Sequence, residues 1–116
     1  MESFKKKFSL EERKKESARI LEKYPERIPV LVEKSYNCTK IPEIDRNKYL
    51  VPVDITIGQF MHVIRSRIKL DSSQAIYLFI NNCLPPSSEL ISKIYQDNKS
   101  EDGFLYIMYA GESTFG

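Results

Sequence analysis

The apolar residues of this chain follow a helical repeat in one segment. Thr56 to Gln59 has the capping-box pattern that opens helices. The apolar residues after Thr56 recur at helical spacing: Ile57, Phe60, Met61, Ile64 and Ile68. The spacing predicts an amphipathic helix that turns this stripe toward a hydrophobic core, which we prefer to a cofactor site.

Four short apolar segments predict strands. Residues 28–32 and 48–53 alternate, with Ile28 and Val30 sharing one face of the first. Residues 75–80 and 104–109 are apolar throughout, as expected of strands covered on both faces. Pro52 cannot donate to a central ladder, so the second strand should lie at a sheet edge.

Two further helices are expected before the first strand. A Ser9–Glu12 capping box opens a charged helix that reaches Tyr24 and stops before Pro25. Phe4 and Phe8 suggest a short helical turn ahead of it. A short helix with Leu90, Ile91, Ile94 and Tyr95 is predicted between the last two strands. Without the N-terminal helices, the order is two strands, a helix and two strands, the order of the ubiquitin-like β-grasp.

The predicted fold is α+β, a four-stranded mixed sheet with a packed helix and two N-terminal helices. We expect one domain over residues 1–116, divided into an N-terminal extension (1–25), a β-grasp core (26–109) and a flexible tail (110–116).

The first strands carry apolar residues on both faces, which leaves two interpretations open. Leu31, Leu50 and Phe104 point away from the predicted core. Either the N-terminal helix covers them through Ile20, or they are partly exposed as a binding patch. An edge strand beside such a patch can accept an extended peptide by strand addition, with Arg27, Lys48 and Arg67 attracting acidic residues of that peptide.

Composition and charge narrow the classes of function. With 29% charged and 41% hydrophobic residues the chain is an ordinary globular protein, and no apolar run is long enough to span a bilayer. The start of the chain has no signal-peptide pattern, so we expect a cytosolic protein with reduced thiols at Cys38 and Cys83. The net charge is +2 with an excess of basic residues in the first half, which suggests an acidic partner, an anionic membrane, or a polyanion such as RNA or tubulin. For Lys5–Lys7 alone we prefer a solvated helical face.

No catalytic constellation is visible. His62 is the only histidine, and one histidine with two scattered cysteines has no metal-ligand spacing. A Cys–His enzyme is kept only as a contrast. We therefore expect no catalytic residue, metal or cofactor.

The last residue, Gly116, follows a polar run. Either it is a frayed end, or its missing side chain serves an enzyme that activates a C-terminus through a narrow groove.

Several segments together resemble the autophagy ubiquitin-like modifiers, the GABARAP and microtubule-associated protein light chain 3 family. The resemblance covers nearly the whole chain, from about Phe4 to Gly116, and rests on these motifs: Lys23–Val30, Glu33–Lys34, Lys48–Pro52, Gly58–Phe60, Ile64–Arg65, Pro85–Pro86 and Gly103–Tyr106.

The resemblance implies covalent attachment of Gly116 to phosphatidylethanolamine on autophagosomal membranes. It implies a processing cysteine protease, an activating enzyme and a conjugating enzyme as partners, with tubulin as a further candidate and no nucleic acid. It also implies binding of cargo receptors through short acidic, aromatic-x-x-aliphatic peptides. The alternative is an unconjugated trafficking or cytoskeletal adaptor that uses the same groove.

The resemblance also implies the residues of that groove. The aromatic pocket would consist of Glu16, Ile20, Pro29, Leu31, Lys48, Leu50 and Phe104. The aliphatic pocket would consist of Tyr49, Val51, Pro52, Ile55, Phe60 and Val63, and Arg27 and Arg67 would meet the acidic flanks. Three features depart from the family: His62 replaces a usual aromatic residue, the loop after Lys34 carries Cys38 and looks one residue longer than in the GABARAP branch, and residues 4–7 fit only loosely.

Overall fold

The computed structural model describes residues 3–35 and 40–112. In chain order its elements are α1 (Phe4–Lys7), α2 (Leu10–Lys23), β1 (Arg27–Lys34), β2 (Lys48–Pro52), α3 (Ile57–Ile68), β3 (Tyr77–Phe79), α4 (Ile91–Asn98) and β4 (Leu105–Ala110). This order confirms two N-terminal helices followed by the β-grasp sequence of elements.

The four strands form one mixed sheet in the order β2-β1-β4-β3. β1 pairs antiparallel with β2 and parallel with β4, and β3 pairs antiparallel with β4. The predicted fold class is therefore confirmed. β2 lies at an edge, as Pro52 predicted, and no strand within residues 3–35 and 40–112 pairs with its other long side.

Both predicted capping boxes form. Ser9 Oγ accepts a hydrogen bond from the N–H of Glu12 (3.2 Å), and the Glu12 carboxylate accepts one from the N–H of Ser9 (2.9 Å). Thr56 and Gln59 make the same reciprocal pair at 3.1 and 2.9 Å. These bonds satisfy N–H groups that have no partner inside the helix, which is why α2 and α3 begin where they do.

α3 packs its apolar stripe against one face of the sheet. Val30 and Val32 of β1, Leu105 and Ile107 of β4, and Ile64 of α3 are completely buried in this main core. The stripe is a core feature, as the sequence pattern indicated.

The opposite face of the sheet carries a smaller cluster of Phe4, Ile20, Leu31 and Phe104, under α1 and α2. The rings of Phe4 and Phe104 meet edge to face at 5.2 Å between centroids. The backbone N–H of Phe4 donates to Glu33 Oε2 at 2.8 Å, which fastens the start of α1 to β1.

Several strand boundaries differ from the prediction, and β2 ends at Pro52 and β4 at Ala110, each one residue from the predicted end. β1 extends to residues 27–34, because it pairs with strands on both sides. The segment predicted over 75–80 is strand only at Tyr77–Phe79, since pairing ends at Ala110 and the chain then turns through Asn81 and Asn82 at positive φ (51° and 65°). The last strand begins after Phe104, whose N–H is bonded to the Asp102 carboxylate (2.9 Å) and not to a neighbouring strand.

Candidate functional site

The open edge of β2 presents every second backbone amide to solvent. The register pairs Leu50 with Pro29, which has no N–H, so this pair cannot exchange two hydrogen bonds. The N–H of Val32 instead donates to the carbonyl of Asn47 at 2.7 Å. Odd-numbered residues along β2 therefore bond to β1. The N–H and C=O of Lys48 and Leu50, and the C=O of Pro52, point outward.

Two arginines cover the outward carbonyls. Arg46 Nε donates to the carbonyl of Lys48 (3.2 Å), and Arg27 Nη1 donates to the carbonyl of Leu50 (3.3 Å). Charged side chains at a sheet edge hinder unwanted strand pairing. A peptide strand that docked here would replace these side-chain donors with its own N–H groups.

The residues expected to form the aromatic pocket lie on the sheet face that α2 covers. Ile20, Leu31 and Phe104 are at most 1% exposed, and Leu50 packs against them half-buried. Of the two interpretations left open, the helical cover is the one observed. These three side chains are buried beneath the cleft between α2 and β2, whose lining includes Glu16 and Lys48, and they do not form an exposed patch.

An ion pair bridges the rim of this cleft. Glu16 Oε2 on α2 accepts from Lys48 Nζ on β2 at 2.6 Å, and Glu16 Oε1 accepts from Arg19 Nε at 2.7 Å. Hydrogen bonds from Arg19 and then Lys48 lower the pKa of Glu16 to about 2. Because both partners are partly exposed, the bridge is open to solvent and to competition from a ligand carboxylate.

The buried carboxylate of Asp102 holds α2 on the sheet. Its Oδ2 accepts from Arg13 Nη1 (2.6 Å) and from the hydroxyl of Tyr106 (2.5 Å), and its Oδ1 accepts from the N–H of Phe104 (2.9 Å). Ser17 Oγ on α2 donates to the backbone carbonyl of Asp102 at 2.5 Å. Asp102 thus positions both α2, which forms one wall of the cleft, and Phe104, which is buried beneath it.

The residues expected to form the aliphatic pocket lie mostly on the α3 side. Val51 and Phe60 are buried, and the ring of Tyr49 meets that of Phe60 edge to face at 5.6 Å between centroids. Ile55 is half-buried against the same core, while Val63 is 42% exposed at the rim. The structure brings Tyr49, Val51, Ile55 and Phe60 together in the main core. Pro52, by the alternation along β2, falls on the opposite face with Leu50.

Polar groups lie beside the residues expected to form the aliphatic pocket. Arg67 Nη2 donates to both carboxylate oxygens of Asp45, at 3.1 and 3.2 Å. The hydroxyl oxygen of Tyr49 is buried and has no hydrogen-bond partner within residues 3–35 and 40–112. Burial raises the pKa of that hydroxyl against the lowering effect of Arg67.

The family model described as "Autophagy protein Atg8 ubiquitin like" matches residues 12–116, which include both clefts, the edge strand and the tail. The chain belongs to the Atg8 family.

Curated Atg8 relatives agree over nearly the whole chain. Autophagy-related protein 8A of Oryza sativa subsp. indica is 59% identical over 98% of this chain and 95% of its own length. Autophagy-related protein 8e of Arabidopsis thaliana is 58% identical over 97% and 92%, and autophagy-related protein 8 of Candida albicans 56% over 97% and 83%.

Solved Atg8 structures share the fold. Trypanosoma brucei ATG8 superposes with a TM-score of 0.91 at 42% identity, covering 100% of this chain and 99% of the other. Plasmodium falciparum Atg8, in complex with a Plasmodium falciparum Atg3 peptide, gives a TM-score of 0.91 at 36% identity and covers 99% and 100%.

The described part of this Atg8 chain contains neither a metal-ligand cluster nor a helix that could span a membrane. No group of three or more His, Cys, Asp or Glu side chains that could hold a metal ion occurs within residues 3–35 and 40–112. None of the helices there has the length and apolarity that a bilayer crossing requires. Cys83 and His62 are exposed. Gly116, the conjugation residue expected from the resemblance, and Cys38 lie outside the described residues.

Sequence reasoning missed three residues that shape the site: Asp102, Arg46 and Phe4. Asp102–Gly103 has the pattern of a solvent-exposed turn, and nothing in that dipeptide indicates a buried carboxylate. The position of Arg46 beside the carbonyl of Lys48 depends on the β1–β2 register, which the sequence alone does not show. The burial of Phe4 could have been predicted, because an aromatic residue in a lysine-rich turn is expected to pack against the rest of the protein.

Proposed function

We propose that this Atg8-family chain is a modifier conjugated through Gly116 to phosphatidylethanolamine on the autophagosomal membrane. We further propose that it recruits cargo receptors through acidic, aromatic-x-x-aliphatic peptides. The observation that carries the second part is the open edge of β2, which runs between the apolar cluster under α2 and the apolar side chains packed beside α3.

The spacing of the proposed motif fits two clefts on opposite faces. Side chains alternate along a strand, so residues i and i+3 of an extended peptide point to opposite sides of the sheet. An aromatic residue can then enter the cleft over Ile20 and Phe104 while the aliphatic residue enters the cleft over Val51 and Phe60. The outward N–H and C=O of Leu50 supply main-chain hydrogen bonds, as in other cases of strand addition.

The positions of the clefts favour one peptide direction. The aromatic cleft is centred on Lys48 and Leu50, and the aliphatic cleft on Tyr49, Val51 and the segment after β2. The peptide therefore runs parallel to β2, and its acidic upstream residues pass beyond Lys48. Arg27 pairs in register with Pro52 and lies at the other end. Lys48 is accordingly the better candidate for contact with the acidic flank.

The tail has the chemistry of a substrate. Ala110, expected at the start of the tail, is the last residue of β4, so the tail begins at residue 111. Residues 111–116, when extended, reach roughly 20–22 Å from the end of β4. That length can thread the groove of a protease or of an activating or conjugating enzyme, and a terminal glycine has no Cβ to obstruct it. Transfer to phosphatidylethanolamine would add two acyl chains, which anchor a protein more stably than one. The complex of Plasmodium falciparum Atg8 with an Atg3 peptide supports a conjugating enzyme as one of these partners.

In this proposal the chain supplies no catalytic group and is a substrate of other enzymes. It is cytoplasmic before conjugation and membrane-bound after it. Tubulin remains a candidate for the basic N-terminal half.

Intact-mass measurement tests the conjugation. The full chain is incubated with the activating and conjugating enzymes, ATP and phosphatidylethanolamine liposomes, beside a variant lacking Gly116. We expect a lipid adduct on the full chain alone. No adduct on the full chain, or an equal adduct on the deletion variant, would refute conjugation. If peptide binding then persisted, the adaptor would be the better description.

The fluorescence of a tryptophan in the peptide measures binding to the groove. The protein adds no tryptophan signal of its own, because the chain contains no tryptophan. We expect Leu50→Ala and Lys48→Ala each to weaken binding of an acidic peptide with a tryptophan anchor, by about 2 kcal/mol for Leu50 as a central pocket residue. Leu84→Ala is the matched control, because Leu84 is 47% exposed and follows β3 at the far end of the sheet. Unchanged affinity in both groove variants would place the site elsewhere.

A further inference from the structure

The tail leaves the sheet between two segments of the chain. Gly111 is the first residue after β4, and a Cβ at this position would lie 3.1 Å from Ile41 Cδ1 and 4.0 Å from the carbonyl oxygen of Ala75. Residues 40–46, which precede β2, and residues 65–75, which include the last turn of α3, therefore flank the start of the tail. We call these two segments together the exit face.

The exit face carries more positive than negative charge. Its basic residues are Lys40, Arg46, Arg65, Arg67 and Lys69, and its acidic residues are Glu43, Asp45 and Asp71. Arg67 pairs with Asp45 at 3.1 Å, which also joins the two segments. Glu43 pairs at 3.6 Å with Lys34, at the end of β1. Because two of the three carboxylates are paired in this way, most of the remaining charge of the exit face is positive.

Lys40 and Lys69 are the cations of this face that are open to a ligand. Both are exposed, and neither forms an ion pair within residues 3–35 and 40–112. The N–H of Lys69 donates to the carbonyl of Arg65 at the end of α3, so its backbone is fixed while its side chain extends into solvent. The Arg65 side chain lies beside it, where Nη2 donates to the carbonyl of Asp71 at 3.2 Å.

We propose that the exit face is a surface for anionic lipid headgroups, which holds the conjugated protein with this face toward the bilayer. The inference rests on the proposed conjugation of Gly116. Residues 111–116 reach at most roughly 20–22 Å, so the tether keeps the exit face closer to the headgroups than the opposite end of the sheet. Each lysine or arginine near an anionic membrane favours contact about fivefold, over a Debye length of about 8 Å.

This orientation also sets the direction of the groove. Leu31 of β1 pairs with Lys48, so β2 begins at the end of the sheet where β1 and β4 finish. With the exit face toward the bilayer, the Lys48 end of the groove lies nearer the headgroups than the Pro52 end. The acidic flank of a bound peptide is then on the membrane side.

Quenching of an introduced tryptophan by brominated lipids measures the orientation, because the chain has no tryptophan of its own. Gly116→Cys, with Cys38→Ser and Cys83→Ser, is coupled to a maleimide derivative of phosphatidylethanolamine in liposomes. Ser72→Trp reports on the exit face, and Glu101→Trp on the end of the sheet where β4 begins; both residues are exposed. We expect phosphatidylserine to increase the quenching of Ser72→Trp at least about twofold over neutral liposomes and to leave that of Glu101→Trp unchanged.

Charge reversal identifies the residues responsible. Lys40→Glu/Lys69→Glu should abolish the additional quenching of Ser72→Trp, as should about 1 M salt, where the Debye length is about 3 Å. Lys23→Glu/Lys99→Glu is the matched control, because it changes the net charge equally with exposed residues at the other end of the sheet. The control should retain the additional quenching, and circular dichroism verifies that both double variants fold.

Equal quenching of Ser72→Trp on the two kinds of liposome would refute this role of the exit face. Additional quenching that survives Lys40→Glu/Lys69→Glu, or that both double variants lose, would refute it as well. The chemical anchor keeps this result independent of the conjugating enzymes. If the enzymatic adduct forms and the quenching is equal, conjugation stands and only the exit face is refuted. If no enzymatic adduct forms on Gly116, the proposed conjugation fails and the inference fails with it.

Discussion

Replacement of Asp102 by asparagine should strongly destabilise this protein. The carboxylate is about 1% exposed and accepts three hydrogen bonds, from Arg13, Tyr106 and the N–H of Phe104. Asparagine has nearly the same shape and can keep one acceptor oxygen toward Phe104. Its NH₂ group would then face the donors of Arg13 and Tyr106.

The loss of stability depends on the donors that Asp102→Asn leaves without an acceptor. Leaving a buried donor or acceptor without its hydrogen bond costs about 1–3 kcal/mol. That is a substantial share of the roughly 5–15 kcal/mol that typically stabilises a domain. For a protein of this size we expect a fall in Tm of roughly 5–15 °C. Arg13→Met should cost a similar amount, since it leaves the Asp102 carboxylate unpaired.

Urea and thermal denaturation, followed by circular dichroism at pH 7, measure these changes. The double variant Asp102→Asn/Arg13→Met should lose less than the two single variants together, by about 0.5–3 kcal/mol, since the pair is removed once. Asp97→Asn is the matched control on an exposed pair with Lys93, and should change stability by less than about 0.5 kcal/mol. Additive losses, or an Asp102→Asn variant as stable as the control, would refute the proposed role of this carboxylate.

Three further predictions concern the rim of the aromatic cleft and the start of α3. Glu16→Gln should reduce the free energy of unfolding at pH 7 by less than about 1 kcal/mol, because the ion pair with Lys48 is partly exposed. Folding lowers the pKa of Glu16 from 4.5 to about 2, so the stability difference between variant and wild type should vanish as the pH falls from 4.5 to 2 in urea titrations. Gly58→Ala would place a Cβ 2.9 Å from the carbonyl oxygen of Ser87, so Tm should fall. A rise in Tm would show that the higher helix propensity of alanine outweighs this close contact. Thr56→Ala should cost about 1 kcal/mol in thermal denaturation and Thr56→Ser very little, and equal losses would contradict the cap.

Local patterns predicted most of the fold because they act over a few residues. The capping boxes at Ser9 and Thr56 located the starts of two helices, and Pro52 located an edge strand. The extent of a strand depends on its partners, so the segment at 75–80 was predicted too long. Its ladder with β4 ends at Tyr77, which faces Ala110.

The candidate site was less accessible to sequence reasoning, because its geometry depends on register. The resemblance supplied residues from α2, β1, β2 and α3, but not which of them lie at the upstream end of the groove. That follows from the pairing of Arg27 with Pro52 and of Leu31 with Lys48. The burial of Asp102 could not be foreseen either, because it depends on Arg13 being brought from the other end of the chain.

The parallel pairing of β1 with β4 has a consequence for how the protein is made. Val30 lies beside Leu105, so a central strand formed early in synthesis waits for its neighbour until almost the whole described chain has been translated. Pairings between distant segments close slowly, since the loop entropy is lost before the contacts form. Until β4 arrives, the β1–β2 hairpin has two open edges and an uncovered apolar face. We therefore expect the nascent chain to depend on chaperones, and the peptide groove to become functional only after the last strand is in place.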